Sequence, residues 1–376
     1  MDYNNYGENT LPSIEQEGVQ REFPEDNQNN PPSLRPGFKS VCARIGVMMI
    51  VVFGVRLLMN CVLVLLSPCF EGITPLQDAL ISFAAAFVFL NVIPIAIGMA
   101  VLKFPLKQRV KTLYSKPRYA GRAIGMFPAM YGAAMLMQIL TLLLASLFKD
   151  TQMADSFNAT QSLLSGDLPS AIVRFIQAVI FAPILEELWF RGLVLESLRP
   201  YGNGFAIFIS AILFGITHAN LAQFFYATAI GLFLAYIAIH TGSIIVPMIL
   251  HAMMNGISSI TSLIITDPDV SNYLAQAGIV DELPPVTSTS VMIYLIWNVI
   301  VLLLMAVGII MFIVKLVRIK RYKVPKMQTE LSTGTRWGIF LSRPTVIISL
   351  IFAVDTMTVA FITREIIKLL AVIFYG

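Results

Sequence analysis

Long apolar runs alternate with short polar connections along this chain. Windows at 41–66, 78–102, 122–147, 170–190, 203–218, 221–240, 243–265 and 291–316 are apolar with few charges. A helical run of about 20 such residues matches the ~30 Å hydrocarbon core of a bilayer. The pattern predicts an all-α fold, a polytopic transmembrane helical bundle of about eight spans. A ninth segment, 345–374, is apolar but carries Asp355, Arg364, Glu365 and Lys368. It fits either a further span or an interfacial helix. The alternating ~10-residue strands of a transmembrane barrel are absent from the pattern. The polar stretches divide the chain into a tail at 1–40, N-terminal transmembrane helices at 41–166, a polar-studded core at 167–265 and C-terminal transmembrane helices at 266–376. The tail, with "EDNQNNPPS", has too few apolar groups to offset its ordering entropy and is expected to be disordered.

Charge placement sets the expected orientation. The connection 103–122 holds seven Lys or Arg, and 315–326 holds six more. Positively charged connections stay cytoplasmic. Eight crossings put both on one side, together with the N-terminal tail and the end of "EELWFRG". The segment 266–290, which is acidic, falls on the other side. The chain is thus read as an integral, multi-pass membrane protein with a cytoplasmic tail. Composition agrees: of 376 residues, 57% are hydrophobic and 13% charged, with mean hydropathy +0.76. Soluble domains carry about a quarter charged residues. The polar N-terminus does not read as a signal peptide, so the first apolar helix is expected to act as the signal anchor. The net charge of +4 comes without an aromatic-interleaved basic patch, so a nucleic-acid partner is not expected. Cys42, Cys61 and Cys69 form no CxxC pair, and a disulfide framework is not expected.

Ionisable side chains inside apolar helices are expensive and mark function. In "PILEELWFRG", Glu187 and Arg191 stand at i and i+4 and can pair on one helix face. Glu186 is rotated by about 100° and is free to face elsewhere. Two adjacent carboxylates repel, and Arg191 relieves only one of them, which leaves the other suited to general-base work. The chain has three histidines, His218, His240 and His251. Phe214 and His218 share a helix face at i and i+4, as do His251 and Asn255. Taken singly, these residues also fit a structural clamp, a backbone-paired histidine and an interhelical amide. His240 precedes "TGS" and reads as interfacial, whereas Glu196 and Arg199 read as solvated. Arg56 is buried by pattern and is expected to pair with Asp78 or to snorkel.

These motifs resemble a known family. "EELWFRG" is similar to the EExxxR motif of the CPBP (CAAX protease and bacteriocin-processing, also called Abi) intramembrane proteases. "FGITH" is similar to their FxxxH motif, and "TGSIIVPMILHAMMN" to their HxxxN motif with its small-residue lead-in. The resemblance covers about 170–260 in the family's order and spacing, and makes 167–265 the catalytic core. It implies that Glu186 activates the attacking water with His218 assisting, that His251 and Asn255 stabilise the oxyanion, and that Glu187, Arg191 and Phe214 shape the site. The motifs contain no HExxH, and no Ser or Cys nucleophile placed beside a base. Zinc on His218, His251 and Glu186 stays open, because the family is often described as a metalloprotease and such a set leaves a position for water. The metal-free reading, with no cofactor required, is preferred.

Three activities fit these residues. The first is an intramembrane endopeptidase that cleaves a membrane-associated protein or peptide near the cytoplasmic face. Its partners would be the bilayer and a substrate that is prenylated, a bacteriocin leader or another membrane peptide. The second is a non-catalytic scaffold or bacteriocin-immunity protein that retains the motif. The third is an ion pathway, which lacks the inverted repeats and broken helices it would need.

Overall fold

A computed structural model describes residues 34–147, 167–277, 284–325 and 331–357. The expected disordered tail, up to residue 33, and the charged end of segment 345–374 lie outside the described residues. The described elements are helical throughout: α1 (Leu34–Leu65), α2 (Pro75–Leu102), α3 (Leu106–Leu113), α4 (Ala120–Leu147), α5 (Leu168–Tyr201), α6 (Asn203–Ile216), α7 (Leu221–Thr241), α8 (Ile245–Ile265), α9 (Pro268–Ala277), α10 (Thr289–Val317), α11 (Thr333–Leu341) and α12 (Pro344–Met357). Seven of these are long and apolar enough to cross a membrane: α1, α2, α4, α5, α7, α8 and α10. The chain is a multi-pass integral membrane protein.

Two expected spans differ from the pattern. Helix α6 has 14 residues, which gives about 21 Å of rise, short of the ~30 Å core. By length alone it is therefore not among the helices counted as long enough to cross. The last segment begins as two helices, α11 and α12, bent by 71° at their junction. Pro344 supplies the break, since it opens α12 without a backbone N–H. Helix α12 then packs along α1, where Thr345 Oγ1 donates to Ala43 O at 2.9 Å. Helix α1 itself starts at Leu34, seven residues before the expected boundary.

Helix α7 is the most buried of the long helices and sits among α4, α5, α6 and α8. Outside it, α10 turns Ile293, Val299, Leu303 and Ile310 outward, the surface that lipid covers. The basic connections meet at one end of the bundle. Arg118 N donates to Thr241 O at 3.0 Å, Ile244 N to Leu113 O at 2.9 Å, and His240 Nε2 lies 3.1 Å from Lys323 O. Both basic segments therefore meet at one end of the bundle, and His240 lies with them. Glu196 is not simply solvated. It pairs with Arg199 at 2.6 Å and with Arg109 at 3.6 Å, and so clasps the basic connection to α5.

Close packing of α4 on α10 depends on Gly132 and Gly308. A Cβ built on Gly132 would overlap the backbone at Gly308 and Ile309. The Gly121/Gly125 spacing in the sequence does not mark this contact, since a Cβ at Gly121 meets nothing. Gly132→Val is expected to lower stability by about 1–3 kcal/mol or more, with Gly121→Ala near neutral. Thermal unfolding in detergent measures both, and equal melting of the two variants would remove this role for Gly132.

Candidate active site

The site is built where two helices are locally irregular. In α5, π-helical turns at Gln177–Phe181 and Leu188–Leu195 bracket the short α-helical segment Ala182–Glu187. A third π turn, Ala86–Val92, lies in α2. Such turns recur at functional sites because they re-aim side chains and free carbonyls. The first π turn shows how. Ala182 N–H bonds Gln177 O, so the donor Ala178 O would take next is Pro183, which has no N–H. Asn255 supplies it from α8, donating Nδ2 to Ala178 O at 2.8 Å.

Glu187 and Arg191 form the expected pair. Arg191 Nη1 donates to Glu187 Oε1 at 2.9 Å, and both side chains are wholly buried. Arg191 Nη2 also donates to Gly231 O at 3.2 Å. Its guanidinium lies 4.6 Å from the Phe214 ring centroid, a cation–π contact. The same Phe214 ring meets His218 at 5.0 Å and His251 at 5.4 Å edge-on, so it is the apolar spacer of the site.

His251 stands between the two glutamates. Its Nδ1 lies 3.0 Å from Glu187 Oε1, and its Nε2 lies 3.9 Å from Glu186 Oε2. A carboxylate accepts, so Nδ1 carries a proton. The 3.9 Å separation is too long for a direct hydrogen bond. His218 Nδ1 lies 2.8 Å from Phe214 O, and a carbonyl also only accepts. The Nδ1 proton is thereby fixed, and Nε2 is left as the lone-pair nitrogen.

The turn that carries His218 is tightly bonded. Ala219 has φ +55°, in the left-handed region that a Cβ disfavours. Asn220 donates Nδ2 to His218 O at 2.9 Å and accepts from Gln223 N at 2.8 Å, which caps α7. The sequence reading missed Asn220, although an N-cap Asn before an apolar run is its signature.

Glu186 and His218 open on a common cavity of about 180 Å3, lined also by Arg56, Asn91, Gln177 and Gln223, with Phe83, Phe87, Phe181 and Trp189 as apolar wall. Glu187, Arg191, His251 and Asn255 lie behind it rather than in its lining. Arg56 does not take the expected Asp78 partner. Asp78 is exposed in the first turn of α2, whereas Arg56 faces the cavity. Gln177 and Gln223 belong to separate helices, and no sequence spacing links them to Glu186. Among the described residues, no three His, Cys, Asp or Glu side chains converge as metal donors. The set Glu186, His218 and His251 therefore does not present the arrangement zinc takes.

Residues 168–257 match the family model described as type II CAAX prenyl endopeptidase, Rce1-like. That span runs from the start of α5 past Asn255 and includes Glu186, Glu187, Arg191, Phe214, His218 and His251. That match supports the resemblance to the CPBP family over residues 168–257. Two individual proteins are similar to the chain as well. The chain is 40% identical over 115 residues to YdiL of Bacillus subtilis (strain 168), which bears membrane peptidase as a provisional name; this covers 28% of the chain and 46% of YdiL. It is 27% identical over 158 residues to CAAX prenyl protease 2 of Homo sapiens, covering 36% of the chain and 48% of that protein. The chain thus matches about half the length of these curated relatives. No solved structure matches it.

Proposed function

We propose that the chain is an intramembrane endopeptidase that hydrolyses a peptide bond of a membrane-associated, in some cases lipidated, protein or peptide. The observation that carries this reading is the shared cavity of Glu186 and His218, embedded in an apolar bundle and backed by a buried Glu187–Arg191–His251 system. Glu186 takes a proton from water as the water oxygen adds to the scissile carbonyl. His218 Nε2, its other nitrogen tied to Phe214 O, is the second proton acceptor. Collapse of the tetrahedral intermediate breaks the C–N bond, and the proton is delivered to the leaving amine. Glu187 holds the His251 ring at Nδ1, and the family resemblance assigns that ring to the developing oxyanion charge. Asn255 spends one N–H on Ala178 O and keeps the second for the same charge. No step is routed through a metal.

Depth follows from helix rise. Glu196 marks the basic end of α5, and Glu186 lies about 15 Å further along the helix. His251 is about 9 Å into α8 from the same end. These distances support a cut inside the bilayer, on the half approached from the basic face. By the positive-inside rule that face and the N-terminal tail are cytoplasmic.

The test is cleavage by the full chain in detergent of a library of membrane-proximal and prenylated peptides, by wild type and His218→Ala, each with and without a chelator. Wild type is expected to cleave. His218→Ala is expected to be slower by about 10²–10⁴-fold, and chelation is expected to change neither protein. Loss of cleavage on chelation, restored by zinc, would overturn the metal-free step. Undiminished cleavage by His218→Ala would overturn the role of His218. Absence of cleavage by folded wild type would favour a scaffold.

A further inference from the structure

Arg56 projects from α1, outside the 168–257 core, into the cavity that holds Glu186 and His218. Among the described residues its guanidinium makes no hydrogen bond and no ion pair, and Glu186 does not close on it across the cavity. An ionised side chain at this depth is costly when it lacks a counter-charge. The surroundings suit an anion. Gln177 and Gln223 add carboxamides beside it, while the aromatic wall keeps the dielectric low. Low dielectric strengthens a guanidinium–carboxylate fork, whose two parallel N–H···O bonds match the planar geometry of Arg.

We propose that Arg56 binds a carboxylate of the peptide substrate and so fixes which peptide bond meets Glu186. The proposal rests on the peptidase reading. Cavity size limits the distance from anion to scissile bond. A volume of about 180 Å3 holds on the order of a dozen water molecules, room for only a few residues. An extended chain advances about 3.3–3.6 Å per residue, so the carboxylate lies within a few residues of the cut. Two groups supply this chemistry, the terminal α-carboxylate of a chain and the side chain of Asp or Glu. Either way Arg56 is a specificity-determining residue contributed by a helix outside the catalytic motifs.

The test uses the full chain in nanodiscs and three fluorescein-labelled apolar hexapeptides: one ending in a free carboxylate, one amidated, and one amidated with an internal Glu. Binding is read by fluorescence anisotropy in a Glu186→Gln background, which stops turnover, with Arg56 intact, R56K or R56Q. Cleavage is read separately with Glu186 present. The expected result is binding at least about thirtyfold tighter for a carboxylate-bearing peptide than for the plain amide. R56Q abolishes that ratio and R56K retains part of it. The free-acid and internal-Glu arms identify which carboxylate is used. Equal binding of all three peptides to protein with Arg56 intact would overturn the proposal, as would an unchanged ratio in R56Q. A ratio that vanishes when phosphatidylglycerol replaces phosphatidylcholine, with Arg56 intact, would overturn it in favour of a lipid phosphate. Carboxylate-dependent binding without any cleavage by wild type would refute the peptidase reading and leave the Arg56 subsite standing. Matching melting temperatures for R56Q and R56K guard against a folding defect.

Discussion

Replacing Glu186 with Gln is expected to lower kcat by about 10²–10⁴-fold, the usual worth of a general base. The melting temperature should hardly change. Gln has the same shape as Glu, and the Glu186 side chain is 23% exposed with no ion pair to an Arg or Lys. Among the described residues, the charged-group neighbour within 4 Å is His251 Nε2, at 3.9 Å. Single-turnover cleavage and thermal unfolding on the same sample separate the two effects. Glu187→Gln makes the contrast. That carboxylate is wholly buried and bonded to both Arg191 and His251, so its loss should appear in stability as well as in rate. If Glu186→Gln cuts as fast as wild type, the adjacent pair has been assigned the wrong way round or the chain is not a Glu-dependent hydrolase.

Arg191→Leu is expected to destabilise the fold by about 3–5 kcal/mol, because it strands Glu187 as an uncompensated buried carboxylate. Removing both charges, as Glu187→Leu with Arg191→Leu, should recover much of that loss, since a well-packed apolar pair is often no worse than a buried ion pair. The double variant should still be inactive. His251 would have lost the acceptor at 3.0 Å that orients its ring, and Phe214 its cation–π partner. The double-mutant cycle is measured by thermal or denaturant unfolding in detergent, with cleavage read alongside. Additive losses of stability would show that the pair does not act as a unit.

Much of this architecture is legible in the sequence because membrane helices leave a strong signal. Apolar runs locate the crossings, and i/i+4 spacing correctly joins Glu187 to Arg191 and Phe214 to His218. What the spacing cannot carry is azimuth between helices. Each π turn inserts an extra residue and rotates everything after it, and α5 contains two of them. The single-helix view put Glu186 and Glu187 on different faces, which holds, yet both come to His251, one at each ring nitrogen. The carbonyl that Asn255 meets on α5 depends on Pro183 and the π turn together, a three-part condition that no motif encodes. Arg56 stands out in the sequence as a charge in an apolar run, but its neighbours are set by the approach of α2 and α5. Helix α6 ends at Ile216, two residues short of the expected 218, where left-handed Ala219 and the Asn220 cap turn the chain into α7.

The turn between α6 and α7 has a consequence for how the protein is made. A turn between two apolar helices must pass its backbone amides through lipid, which offers them no partners. Here the turn supplies its own: His218 N bonds Gly215 O, Ala219 N bonds Ile216 O, and Asn220 serves both His218 O and Gln223 N. All of these bonds are local, made between residues two or three apart. The turn therefore carries its own backbone partners when α6 and α7 enter the bilayer as a hairpin. The residues that hold His218 in place are thus also the ones that satisfy the backbone of that turn during insertion.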